Sequence, residues 1–340
     1  MVTLTNVIIW CCTPAMLNDE RGSLRSRGAA ALSHLTLRQI AAVIPSEPAW
    51  GVWLSRQIIA RVMDTFGPSL TGTHVVPVDT RTSDGRRVVG EWVYGAGVPR
   101  DHANAAIYFV HGSGYVLCSP RTHRRLTAWL SRLTGLPVFS VDYRLAPKYR
   151  FPTAADDVRS GWDWLIGDVG LSPERTVIAG DSAGGHLTVD LLLQPDVAHP
   201  VGTVLLSPAL DLTFTLARTR ERLRRDPAIR SRDAVRLLEL YCAGIDSVHP
   251  RLKLDVAAGR TLPPMLIQAG GAEILAADAI ALADQIQAAG GQCELQIWPD
   301  QVHVFQALPR ISPEARPAMR HIAGFIAHAL RDTRNDKAAG

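Results

Sequence analysis

The sequence predicts an α/β chain with a mostly parallel central sheet, helices on both faces and a helical cap. Three observations carry that expectation. From about residue 74, apolar runs of strand length alternate with helical patterns. The runs are continuous rather than alternating, as strands buried on both faces require. Gly180-Asp181-Ser182-Ala183-Gly184 then stands between one such run and the helical stretch after it. With 340 residues, 47% hydrophobic and 20% charged, the chain can fill a real core, which excludes disordered and fibrous classes. No apolar run reaches the ~18 residues that a membrane-spanning helix needs.

The N-terminal fifth reads as two helices. The first runs from about Ala29 to Val43; the second opens at Ser46-Glu47-Pro48 and stops at Gly67-Pro68. Trp50, Trp53, Leu54, Ile58, Val62 and Phe66 make a stripe broader than a surface helix needs. Core packing explains it, and so does a lid over an apolar pocket. Asp84-Gly85 between VVPV and VVGEWVY signals a hairpin. The strand runs that follow are Ile107–Val110, Val138–Val141, Thr176–Ala179, Thr203–Leu206, Met265–Ala269 and Glu294–Trp298. Helical stretches at 121–134, 153–166, 184–193 and 277–289 separate them, which argues a doubly wound sheet.

Residues 213–250 break the rhythm. They read as helical and connect a strand ending at Pro208 to one beginning at Pro264. A connection this long usually serves a function, such as a lid. The expected division is therefore a cap segment at 1–70, a core at 71–212 and 251–332, a second cap segment at 213–250 and a flexible tail at 333–340.

Charge and cysteine usage narrow the class further. The 36 basic and 32 acidic residues leave a net charge of +4, and only Lys148, Lys253 and Lys337 are lysines. The densest basic stretch, Arg218 to Arg225, contains Glu221 and precedes Asp226, so it reads as a solvated helix face rather than a nucleic-acid footprint. Cys11, Cys12, Cys118, Cys242 and Cys293 are odd in number and lack zinc-ligand spacing, which fits a reducing compartment without a disulfide framework or a metal. The start MVTLTNVIIWCC has no basic residue before its apolar run, so a cytoplasmic protein is expected.

The chemistry concentrates in four places. Ser182 sits in a G-x-S-x-G pattern on a strand-to-helix turn, whose sharp geometry exposes a nucleophilic Oγ. His111-Gly112-Ser113-Gly114-Tyr115 follows strand IYFV, where a Gly-rich loop can aim N–H groups at a developing oxyanion. The hole is assigned to the N–H groups of Ser113, Gly114 and Ala183, with His111 as a structural residue. A serine needs a base, and of eleven histidines His303 alone lies on a loop directly after the last strand run. His186 reads as packing. The base in turn needs a carboxylate. Glu273, just past strand MLIQA, is favoured over Asp278, five residues further on in the next helix.

These motifs, taken in order, resemble the bacterial hormone-sensitive-lipase family of α/β-hydrolases over residues 72–325. The carriers are HGSGY at 111–115, DYRLAP at 142–147 with FPTAADD at 151–157, GDSAGG at 180–185, SPALDLT at 207–213, LPP…GGAEIL at 262–275 and VHVF at 302–305. The resemblance implies an α/β-hydrolase fold, a Ser–His–acid triad, an N-terminal helical cap, no cofactor and hydrolysis of short- to medium-chain acyl esters. The implied partner is a small-molecule ester, and a homodimer is left open. Three positions depart from the family. Ser113 replaces a glycine, Glu273 stands where aspartate is common, and Lys148 stands where an acidic residue is frequent. An amidase or arylformamidase would use the same residues. A non-catalytic receptor on this fold is disfavoured because His303 is retained.

Overall fold

The computed structural model describes residues 21–44, 48–100, 105–112, 114–246, 248–256 and 260–339. Strands β1 (His74–Arg81) and β2 (Arg87–Tyr94) form the expected antiparallel hairpin. Then come β3 (Ala106–Val110), β4 (Val138–Val141), β5 (Thr176–Asp181), β6 (Gly202–Leu206), β7 (Met265–Gly270) and β8 (Cys293–Trp298). All eight join one sheet in the order β1-β2-β4-β3-β5-β6-β7-β8. The pairings from β4 through β8 are parallel.

Ten helices accompany the sheet among the described residues: α1 (Leu24–Leu35), α2 (Leu37–Val43), α3 (Ala49–Phe66), α4 (Pro120–Thr134), α5 (Thr153–Asp163), α6 (Ala183–Leu193), α7 (Thr215–Leu223), α8 (Ser231–Cys242), α9 (Ala276–Ala288) and α10 (Ala315–Ala339). The sheet separates two apolar layers. Tyr108 and Val110 of β3 join one, with Trp162, Leu187 and Leu282; Ile107 and Phe109 join the other, with Leu126, Phe305 and Ile322. The period of two along a strand makes that division, and burial on both faces accounts for the continuous apolar runs.

Three expectations change. The helix expected from Ala29 to Val43 is two helices, broken at Thr36 (φ −118°, ψ −79°), whose Oγ1 donates to the Leu32 carbonyl. The apolar stripe of α3 divides by helical geometry. Val52 is buried, and Ile59, Val62, Met63 and Phe66 pack on the two apolar layers. Trp50 and Trp53 turn outward, 57% and 60% exposed, so they roof no pocket in this arrangement. The expected tail at 333–340 is helical through Ala339, the end of α10.

No helix among the described residues is long and apolar enough to cross a membrane. No group of three or more His, Cys, Asp or Glu side chains among them is placed to hold a metal ion. Cys118, Cys242 and Cys293 are free thiols, while Cys11 and Cys12 lie outside the described residues.

Candidate active site

Ser182 is held by the strand-to-helix turn that its neighbours permit. Its backbone is left-handed (φ 52°, ψ −120°), a conformation that costs an L-residue roughly 1–3 kcal/mol and persists only when the surroundings impose it. They do so tightly. The Ser182 N–H donates to the Leu206 carbonyl at 2.9 Å, and the Ser182 carbonyl accepts from Gly185 and Ala209. A Cβ on Gly184 would lie 2.1 Å from the Val110 carbonyl oxygen, so only glycine lets α6 approach β3 this closely. Ala183 opens α6, which makes its N–H one of the donors a helix start leaves free for an anion.

The 111–117 loop is pinned to this turn through Asp181. The Gly112 N–H donates to Asp181 Oδ1 at 2.8 Å, and His123 Nε2 lies 3.3 Å from Asp181 Oδ2. His111 is fully buried and stacks on Tyr143 at 4.3 Å between ring centroids, and Tyr143 donates its hydroxyl to the His111 carbonyl. Burial pushes its pKa down to about 3, so it stays neutral and structural. Gly114 follows with a left-handed backbone, facing Leu237 of α8. Ser113, the other loop residue expected to serve the hole, lies outside the described residues. His186 is also buried and neutral, its pKa lowered to about 4 by burial.

His303 and Glu273 meet at the same edge of the sheet. His303 Nδ1 stands 2.5 Å from Glu273 Oε2. Glu273 Oε1 accepts from the Gly270 N–H at 2.5 Å and the Ser207 hydroxyl at 2.7 Å. Ser207 Oγ also accepts the Val304 N–H at 3.1 Å, so one hydroxyl ties the loop of the acid to the loop of the histidine. Gly270 permits the two loops to touch, since a Cβ there would lie 2.4 Å from the Gln301 carbonyl. Burial works to lower the His303 pKa. The Glu273 carboxylate and its hydrogen bond, with Asp226 and Asp181 beyond, outweigh burial and raise it above the ordinary imidazole value. Ser182 and His303 are not hydrogen-bonded to each other. Such contacts are often long before substrate arrives and tighten with it.

Asp278 is placed differently. Its Oδ1 accepts the N–H groups of Leu210 and Asp211 at 2.9 and 2.8 Å, so it fastens α9 to the segment after β6 and does not reach the histidine. Burial pushes its carboxyl up to about 7. The basic stretch 218–225 is also more than a solvated face: Arg220 donates to the Glu273 and Gly271 carbonyls, and Arg224 pairs with Asp300. Ser207, His123 and Arg220 are the site's neighbours that sequence reasoning misses. Ser207 alone carries a local signal, standing at the C-terminal end of a strand. A cleft of about 750 Å³ between α3 and residues 142–149 includes none of Ser182, Glu273 and His303.

A mostly parallel sheet with a strained serine on its central turn and a Glu–His pair on the loops after its last two strands defines an α/β-hydrolase. A family profile of the alpha/beta hydrolase fold matches residues 107–307. The carboxylesterase/phospholipase LipF of Mycobacterium tuberculosis is 36% identical over 242 residues, 68% of this chain and 64% of that protein. The match thus spans just under two thirds of that relative's length. The esterase LipU of the same organism is 35% identical over 240 residues, covering 68% of this chain and 80% of the relative. Among solved structures, an esterase from the bacterial hormone-sensitive lipase family superposes with a TM-score of 0.77 at 29% identity, over 91% of this chain and 99% of that one. EstE5, soaked with p-nitrophenyl butyrate, has a TM-score of 0.78 at 28% identity, over 91% and 100% of the two chains. The chain belongs to the bacterial hormone-sensitive-lipase family of α/β-hydrolases.

Proposed function

We propose that this protein is a carboxylesterase that hydrolyses short- to medium-chain acyl esters, with Ser182 as nucleophile, His303 as base and Glu273 as acid. The observation that carries this reading is the Glu273–His303 contact at the sheet edge where Ser182 stands on its strained turn. Ser182 Oγ attacks the ester carbonyl while His303 Nε2 takes its proton. The N–H groups of Ser113, Gly114 and Ala183 meet the oxyanion. The alcohol leaves with the proton that His303 returns, and water then hydrolyses the acyl-enzyme by the same route. Glu273 holds the ring so that Nδ1 carries a proton and Nε2 is free to accept one. The names of the relatives, a carboxylesterase and an esterase, support the reaction class.

In this reading α1–α3 and α7–α8 form a cap over the site. Leu237 of α8 faces Gly114, and Tyr241 stacks on Tyr115 at 4.1 Å between centroids. The acyl chain therefore meets α8 rather than Trp53. Each methylene buried gains about 0.8 kcal/mol until the pocket is full, after which overpacking costs about 1–3 kcal/mol. Across p-nitrophenyl esters, kcat/KM is expected to peak at roughly four to eight acyl carbons and to fall steeply by about sixteen. Leu237→Ala moves the maximum to longer chains, and Trp53→Ala leaves it in place. A profile that climbs steadily into long chains, or aryl amides cleaved as fast as the esters, would reject the short-chain esterase reading.

The raised His303 pKa gives a second test. Only neutral imidazole accepts the serine proton, so activity falls as pH drops through the histidine's pKa. Because Glu273 raises that pKa, the acid limb of kcat/KM is expected above the ~6.5 of an unperturbed imidazole. A limb below that value in the pH profile for p-nitrophenyl butyrate would mean that His303 is not the titrating base.

A further inference from the structure

We infer that the α7 segment of the cap clamps the loop of the acid, and that Arg220 and Asp226 are positioning residues for Glu273. The inference rests on the reading of Ser182, His303 and Glu273 given above. Two side chains grip the backbone around Glu273 from the cap side. Arg220 Nε donates to the Glu273 carbonyl and its Nη2 to the Gly271 carbonyl, both at 2.8 Å. Asp226 Oδ2 accepts the Ile274 N–H at 2.8 Å. The peptide bond that follows the acid is thus held at its carbonyl by Arg220 and at its N–H by Asp226.

The core does not duplicate this grip. Ser207 and the Gly270 N–H hold the carboxylate of Glu273 and leave its own carbonyl to the cap. Asp226 is itself built in. It is fully buried, and its Oδ1 accepts the N–H groups of Ala228 and Ile229 at 2.7 and 2.8 Å. The chain of bonds continues outward. Arg38 of α2 donates to the Asp226 and Ile229 carbonyls at 2.6 and 2.7 Å and pairs with Glu221 of α7 at 2.8 Å. Arg38 and Asp226 lie far apart in sequence, so both cap segments converge on one peptide of the catalytic loop.

A carboxylate on a loop keeps its reach to a histidine only if the backbone beneath it stays still, and a misplacement of about 1 Å can cost on the order of 100-fold in rate. Displacing the cap would release both grips, which ties the alignment of Glu273 to cap closure. Charge acts alongside geometry. The charged groups with the largest effect on His303 are Glu273, Asp226 and Asp181, all carboxylates. Removing the Asp226 charge therefore weakens the preference for imidazolium.

The test compares Asp226→Asn, Arg220→Lys and Arg220→Gln with the wild type, using p-nitrophenyl butyrate and checking the fold by circular dichroism and thermal unfolding. Asp226→Asn should lower kcat by about tenfold to a hundredfold with KM within about twofold, and should move the acid limb of the pH profile to lower pH. Arg220→Lys should not rescue Arg220→Gln, because an ammonium is a point charge and cannot fork onto two carbonyls. If Asp226→Asn does not fold, the Arg220 pair decides alone: Lys as active as Arg overturns the clamp. So does a folded Asp226→Asn with wild-type kcat, or with lost kcat and an unmoved acid limb. Failure of the triad reading looks different, since a serine-directed organophosphonate would then leave Ser182 of the wild type unlabelled.

Discussion

Ser182→Ala is expected to reduce ester turnover by roughly 10⁴–10⁶-fold, the scale on which loss of a nucleophile removes the covalent route and leaves only binding and oxyanion stabilisation. The substitution deletes one oxygen and leaves the turn intact. The hydrogen bonds that impose the left-handed backbone run through the Ser182 N–H and carbonyl, not through its side chain. Alanine bears the same backbone strain as serine, so thermal unfolding should change little. A serine-directed organophosphonate should label the wild type once, at Ser182, and should not label the variant. Labelling that survives in Ser182→Ala would place the nucleophile elsewhere.

Glu273→Gln is expected to cost about 10⁴-fold in kcat, whereas Asp278→Asn should cost less than about tenfold. The glutamine carbonyl can take over the bonds from Ser207 and Gly270, which turns its amide NH₂ toward His303 Nδ1. Two donors then face each other unless the ring adopts the tautomer with its proton on Nε2, and that tautomer cannot accept the serine proton. Asp278→Asn keeps an acceptor for the Leu210 and Asp211 N–H groups. It replaces a carboxyl that burial already pushes to about 7, so the neutral amide resembles a form the wild type itself populates. Steady-state kinetics on the two variants settles the order. Equal losses, or a larger loss in Asp278→Asn, would transfer the role of acid to Asp278.

The strands and most of the helices were legible because they obey local rules. A strand buried on both faces must be apolar at successive positions, and a helix must repeat its apolar positions every three to four residues. Where two local rules competed, the pattern misled. Thr36 is compatible with one long helix by periodicity, yet its hydroxyl returns to the Leu32 carbonyl and α1 ends there. The stripe on α3 is broad enough to face either way. Its Val52 side went inward because the core presents partners on that side, and Trp50 and Trp53 were left outside.

What the sequence by itself determined was the position of the candidate site. Ser182 stands between a strand and a helix in a pattern whose small residues leave one backbone solution, and His303 follows the last strand, so both fall at the C-terminal edge of a parallel sheet. Only the tertiary structure decided which carboxylate faces the histidine. Sequence order favoured Glu273, just past β7, over Asp278, five residues on in α9, but it could not show which carboxylate meets the histidine. The distinction came from residues distant in the chain: Ser207 and His303 take the Glu273 carboxylate, while Leu210 and Asp211 take that of Asp278. The same holds for Arg220 and Asp226, which act on residues 271–274 from about fifty positions away. Periodicity and turn chemistry are set by neighbours along the chain, so they can be read in order. The direction of a side chain at a site is set by whichever donors and acceptors the packed fold brings to it, and no spacing along the sequence encodes them.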